Sequence, residues 1–172
     1  MALKFHSTLF LLLVFSLVLV LSCRKEKLYP LIPAISFKSI NELDTVYNIA
    51  GGNDTNTIIK FTFSFTDGDG DIGFRNEELP DQQNCFFRIF EKQQGDFVEL
   101  VYPPPLFAYR IPDVTPDRRN KNISGEVTID INENNFKDYP PNDTMKVGIY
   151  IFDRALNQSN TIFTSEFIIN KP

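Results

Sequence analysis

The chain has no tryptophan, two cysteines and one histidine. That histidine, His6, falls in an apolar N-terminal stretch, so residues 7–172 contain none. Without one, that part of the chain cannot build a Ser-His-Asp triad, a Cys-His nucleophile pair or a histidine-based zinc site. The lack of tryptophan weakens a sugar-stacking platform without eliminating it. Basic residues are also in deficit, with 17 Lys and Arg against 22 Asp and Glu, a formal net charge of −5. That argues against a nucleic-acid partner, because phosphate binding needs clustered Lys and Arg. The nearest basic run, Arg118-Arg119-Asn120-Lys121, is short and reads as a solvated turn. No apolar run is long enough to span a bilayer. Leu9 to Leu21, LFLLLVFSLVLVL, has 13 residues, against the roughly 20 a transmembrane helix needs.

That short run has the dimensions of a signal-peptide core behind a single basic residue, Lys4. It ends in Val20-Leu21-Ser22-Cys23, followed by Arg24-Lys25-Glu26-Lys27. The small Ser22 before Cys23 resembles a bacterial lipobox, although Val20 and Leu21 depart from its usual residues. The resemblance implies that residues 1–22 are a lipoprotein signal peptide, that Cys23 becomes the acylated N-terminus, and that the membrane is the first partner. An uncleaved anchor with a bystander cysteine is the alternative. Several acyl chains anchor firmly where one is marginal. Arg24 stands where Asp often signals inner-membrane retention in that family, so the resemblance implies the bacterial outer membrane. It leaves the periplasmic and cell-surface faces both open.

With Cys23 lipidated, Cys85 has no partner and no intrachain disulfide forms. Cys85 opens the apolar run NCFFRIF and is expected to be a buried, reduced core thiol. Residues 23–33 combine charge with Pro30 and Pro33 and read as a lipidated Cys and extended tether. From residue 34 to 172 the hydrophobic period is two. Ile59, Phe61, Phe63 and Phe65 alternate with polar residues, as do Val127, Ile129 and Ile131. Met145, Val147, Ile149 and Ile151 repeat the pattern. Each marks a strand with one face in the core. Weaker strand signals cover Ala34–Ile40, Cys85–Glu91 with a partner near Phe97–Val101, Leu106–Ile111, and Thr161–Ile169. No segment has the 3.6 period of an amphipathic helix. About seven short strands with Gly, Pro, Asn and Asp between them predict one all-β domain, an immunoglobulin-like β-sandwich, with another sandwich or a small barrel as the alternative.

The most distinctive segment is Asp67-Gly68-Asp69-Gly70-Asp71-Ile72-Gly73. Carboxylates at every second residue, separated by glycines, can curl toward one point and ligate a hard cation such as calcium. Asp67, Asp69 and Asp71 match the first, third and fifth positions of an EF-hand loop, and Glu78 the twelfth. Ile72 stands where that loop needs glycine, however, and a strand precedes it, so the EF-hand fold is rejected and only a calcium loop is kept. A plain Asp-Gly turn is the competing reading. In an immunoglobulin-like sandwich this loop and Asp153-Arg154-Ala155-Leu156-Asn157-Gln158-Ser159-Asn160 lie at the same end. Asp153 and Asn157 are therefore candidate additional metal ligands, unless Asp153 caps its own turn. Asp113 and Asp117 are further possibilities.

The segments FTFSFTDGDGDIGF and DRALNQSN together resemble a group of small Bacteroidetes-type outer-membrane lipoproteins of uncharacterised role. The resemblance implies a location and a fold, not a reaction. The expected function is a non-enzymatic, lipid-anchored cell-envelope protein, a binding or accessory subunit of an outer-membrane complex with an envelope protein or glycan as partner. Tyr102, Phe107 and Tyr109 beside the prolines are its candidate contact surface, or else cover for the core. The alternatives are a carboxylate-based glycan hydrolase and a purely structural spacer.

Overall fold

Alternating apolar and polar residues can bury only one face of each strand, so strands of this kind must pair into sheets and stack. The computed structural model describes residues 28–49, 52–75, 77, 82–101, 107–115, 121–132, 134–137 and 142–169. The expected signal peptide, Cys23, Glu78, Tyr102 and Asp117 lie outside the described residues. The strands are β1 (Ala34–Ile49), β2 (Gly52–Asp67), β3 (Cys85–Gln93), β4 (Asp96–Leu100), β5 (Ala108–Tyr109), β6 (Ile123–Asn132), β7 (Thr144–Ile151), β8 (Ile162–Phe163) and β9 (Phe167–Ile168). One turn of helix, α1 (Asn134–Lys137), follows β6.

Two antiparallel sheets form an all-β sandwich, as the period-two pattern predicts. One sheet has the order β1-β2-β6, and the other β4-β3-β7-β8, with β5 also on β3 and β9 also on β7. The expected single strand over Thr161–Ile169 is divided into β8 and β9. Thr164 divides it, because its hydroxyl accepts a hydrogen bond from Val147 N (3.0 Å) and donates one to Ser165 O (2.7 Å). Side-chain bonds of this kind compete with the sheet ladder.

The inward faces supply the core. Ile59, Phe61, Phe63 and Phe65 of β2 meet Cys85, Phe87 and Ile89 of β3 and Met145, Val147, Ile149 and Ile151 of β7, all buried. Phe61 packs edge-on against Phe87 (5.4 Å) and Phe167 (5.7 Å), joining the two sheets. Burying each large side chain contributes about 1.5–3 kcal/mol. Cys85 is fully buried, and burial pushes its thiol up to about 12, so it stays protonated and unreactive at neutral pH. The contact surface expected around Phe107 and Tyr109 is core cover instead. Phe107 is buried and stacks on Phe136 at 4.8 Å, and Tyr109 packs edge-on against Phe87 at 5.3 Å. The pairing of β5 with Cys85 and Phe86 draws that segment inward.

Candidate metal centre

Strand parity aims two carboxylates into one end of the sandwich. The inward positions of β2 run Phe61, Phe63, Phe65, and the next one is Asp67. Those of β7 run Val147, Ile149, Ile151, and the next one is Asp153. Both aspartates are completely buried. The chain after Asp67 crosses to the second sheet, where Ile72 forms an isolated antiparallel bridge with Asp153. Ile72 is itself buried. This is why the loop departs from an EF-hand at that residue: an EF-hand loop turns sharply there on glycine, whereas here an apolar side chain plugs the end of the core.

The backbone then gathers the acids. Gly70 (φ 73°) and Gly73 (φ 84°) occupy the left-handed region that glycine tolerates. Asp71 N donates to Asp67 Oδ2 at 2.9 Å, and Ala155 N donates to Asp71 Oδ2 at 3.2 Å. The other oxygen of each, Asp67 Oδ1 and Asp71 Oδ1, is buried with no hydrogen-bond partner, as is Asp69 Oδ1. Carboxylate oxygens of Asp67, Asp69 and Asp71 lie within 4.8 Å of one another. Burial, then repulsion from Asp69 and Asp153, raises Asp67 to about 6 against backbone hydrogen bonds from Asp71 and Gly70. Burial, then Asp153, Asp69 and Asp67, likewise raises Asp71 to about 6.

Of the five candidate ligands, the structure brings Asp67, Asp69 and Asp71 into one group, and it engages both carboxylate oxygens of Asp153 with nitrogens of Asn157. Asp153 Oδ1 accepts from Asn157 N (2.7 Å), and Asp153 Oδ2 accepts from the Asn157 side-chain amide (2.8 Å). Asp153 caps its own turn, and Asn157 serves Asp153. Its charge still acts on the cluster from behind. Asp113 is held by arginines: Arg75 Nε at 2.9 Å and Arg154 Nη1 at 3.2 Å. No family model, curated protein or solved structure matches the chain. The site therefore has to be read from its own chemistry.

Three further residues shape the loop and were not singled out from the sequence. Thr115 Oγ1 donates to Gly70 O (2.7 Å), and the Arg154 guanidinium donates to Gly73 O (3.1 Å) and Gly70 O (3.4 Å). Asn122 N donates to Gly68 O (2.9 Å), while Asn122 Oδ1 accepts from Tyr29 N (2.5 Å). A β-carbon at Gly68 would lie 2.5 Å from Tyr29 O and 2.7 Å from Pro30 O. The tether expected over residues 23–33 is thus docked onto the loop from Tyr29 onward. The arrangement offers oxygen donors only: one carboxylate oxygen from each of three aspartates lies within 4.8 Å of the others, and each aspartate also has a buried oxygen without a hydrogen-bond partner. That is a donor set for a hard divalent cation.

Proposed function

We propose that the chain is a lipid-anchored, non-enzymatic envelope module of the bacterial outer membrane. In this reading its anchor-proximal end is stabilised by calcium, and it serves as a binding or accessory subunit of an envelope complex. The observation that carries the calcium part is the set of three buried carboxylate oxygens, on Asp67, Asp69 and Asp71, with no donor to satisfy them. Leaving a buried charged acceptor unsatisfied costs more than an ordinary lost hydrogen bond. A divalent cation removes that cost and inverts the sign of the repulsion between the carboxylates. Calcium suits the site better than magnesium, because it accepts irregular oxygen shells where magnesium demands a near-ideal octahedron.

The anchor rests on the apolar run and Ser22-Cys23. Five residues lie between Cys23 and Tyr29, so the six Cα-to-Cα steps reach at most roughly 20 Å. With the lipid on Cys23, the aspartate cluster therefore lies close to the membrane surface, and the opposite end of the sandwich projects away. The strand order supports an immunoglobulin-like relationship. With β1, β2 and β6 as A, B and E, and β3, β7 and β8 as C, F and G, each set falls in its own sheet, as in that fold. A carboxylate-based glycan hydrolase fits less well. One oxygen of each of Asp67, Asp69 and Asp71 is buried, whereas a glycosidase needs its two carboxylates open to the sugar on either side of the scissile bond.

The anchor is tested by mass spectrometry of the membrane-extracted protein, which should show an acylated Cys23 and no residues 1–22. A Cys23→Ser chain that still matures and stays in the membrane would rule the anchor out. The metal is tested by melting the purified protein with millimolar calcium and with chelator. Equal melting temperatures would leave the loop as a turn.

A further inference from the structure

The two outward faces of the sandwich differ in chemistry. On the β1-β2-β6 sheet the outward positions include Lys60, Thr62, Ser64, Glu126, Thr128 and Asp130, short or charged residues such as any solvent-facing sheet carries. On the other sheet the outward positions hold Phe86 and Phe90 of β3, Phe97 of β4, Tyr150 of β7 and Phe163 of β8, with Phe152 just beyond β7. Phe86 stacks on Tyr150 at 5.4 Å, and Phe152 meets both edge-on at 5.8 Å. Phe90 meets Phe163 edge-on at 5.5 Å, and Phe163 remains 44% exposed. These two rings close over Gly148, where a β-carbon would come within 3.2 Å of Phe163 and 3.3 Å of Phe90. Any side chain at that position would press against both rings.

Cations are interleaved with these rings. Arg88 lies over Phe90 (5.4 Å), Lys92 over Phe97 (5.6 Å), and Lys146 over both Phe163 (4.9 Å) and Phe97 (5.5 Å). Arg88 is paired with Glu99 through Nε at 2.7 Å, and Lys92 with Glu166 at 2.9 Å. Lys146 has no carboxylate partner among the described residues. An ammonium that among the described residues meets two ring faces and no carboxylate, in a chain of net charge −5, keeps its positive charge available to an incoming anion.

We propose that this face docks an acidic protein surface, with a partner carboxylate seated on Lys146 between Phe97 and Phe163. Aromatic and arginine side chains are the residues that concentrate binding energy at protein interfaces, because they bury large areas at little entropic cost. Rings surrounding the ion pair exclude water and strengthen it. A stacked sugar fits less well, since Arg88, Lys92 and Lys146 already lie over the faces of Phe90, Phe97 and Phe163. This inference rests on reading the chain as a binding module. It is independent of the metal, because Lys146 and the cluster lie on different parts of the sandwich.

The test uses the lipidated full-length chain in neutral detergent. Labelled poly-glutamate is the probe, compared with polygalacturonate and with phosphatidylglycerol vesicles. Poly-glutamate should bind most tightly and weaken as salt rises. Lys146→Glu should lower the affinity by about tenfold or more, while Lys60→Glu on the other outward face should leave it unchanged. Melting curves check that each variant folds. Should Lys146→Glu fail to fold, Lys146→Gln and Phe163→Ser give the same comparison with smaller perturbation. Tighter binding of polygalacturonate or vesicles would overturn the acidic-protein partner and leave the module reading standing. Poly-glutamate binding that Lys60→Glu weakens as much as Lys146→Glu would overturn the site, as would no binding at all. Self-association of the chain lost in Lys146→Glu would replace the foreign partner with a second copy. Binding should be the same in calcium and in chelator, so failure of the metal reading would show separately.

Discussion

Two acidic groups sit together at one end of the sandwich in opposite electrostatic states. Asp113 faces two arginines. Burial alone would raise it, but hydrogen bonds from Arg75, Thr115 N and Arg154 hold it down at about 2. Asp67, Asp69 and Asp71 face one another and the charge of Asp153, and Asp67 and Asp71 rise to about 6. The two groups are physically joined, since Thr115 and Arg154 each bond both to Asp113 and to the carbonyl of Gly70. Among the described residues, the cations at this end pair with the single acid, and the three clustered acids have none. The first group is electrostatically complete, and in the calcium reading the second is completed by an added cation. That difference fixes what each substitution should do.

Asp113→Ala should have the largest effect, because it strips the shared anion from Arg75 and Arg154. The Asp113 side chain is 6% exposed, and breaking a buried pair by removing one partner costs about 3 kcal/mol or more. Urea denaturation should show that loss equally with calcium and with chelator. A loss that calcium repairs would mean that Asp113 belongs to the metal group. The cluster should respond with the opposite pattern. Saturating calcium at about 100 times its dissociation constant should add roughly 2.7 kcal/mol of stability. Asp69→Asn should remove most of that gain, and in chelator it should cost little or even stabilise, because it relieves repulsion. Asp69→Asn melting as low as Asp113→Ala in chelator would show that the acids already have a partner within the chain.

The pH dependence should also differ in sign between the two groups. For Asp67 and Asp71 the folded value of about 6 lies above the ordinary 3.8. The folded chain therefore holds protons there that the unfolded chain releases, and in chelator their contribution declines as pH rises from about 4 through about 6. Asp113 lies below its ordinary value of 3.8, so its contribution is full above about pH 4 and is lost as pH falls toward 2. Melting temperatures measured in chelator across this range should fall between about pH 4 and 6 for the wild type and much less for Asp67→Asn. Calcium should flatten the wild-type decline, because bound cation keeps the carboxylates ionised. A wild-type curve in chelator that rises through this window would contradict the crowded-carboxylate picture.

Much of the end's geometry was legible from period two. The spacing from Phe65 to Asp67 and from Ile151 to Asp153 already turns both aspartates inward, and Cys85, Phe87 and Ile89 fix the buried face of β3. The same parity turns Phe86, Phe90 and Tyr150 outward, a signal for the aromatic face that alternation alone contains. What alternation does not contain is which charges meet. The pairing of Arg75 and Arg154 with Asp113 joins residues 38 and 41 positions apart, and no local pattern encodes it. Asn157 looked like a donor of oxygen to a metal because its amide can ligate. Only the turn geometry shows its side-chain nitrogen donating to Asp153. The position of Phe107 under the loop depends on β5 finding β3, a contact long in sequence.

The smallest expected effect is the one that makes the comparison specific. Asp130 carries the same side chain as the cluster residues and lies on β2's neighbour β6, but at the outward parity, directly opposite Lys60. Lys60 Nζ reaches its Oδ2 at 2.5 Å, with half of the Asp130 side chain still exposed. Exposed pairs of this kind contribute about 0.2–1 kcal/mol and weaken with salt. Asp130→Asn should therefore lower stability by no more than that amount, and the melting-temperature rise caused by calcium should be the same as in the wild type. The control separates two explanations of any calcium effect. If calcium acted by screening the net negative charge of the whole chain, removing one carboxylate anywhere would blunt the response to a similar degree. If it acts at the converging oxygens, only Asp67, Asp69 and Asp71 matter. A calcium response reduced as much by Asp130→Asn as by Asp69→Asn would dissolve the site into bulk electrostatics, and the two acidic groups at the end of the sandwich would no longer differ in kind.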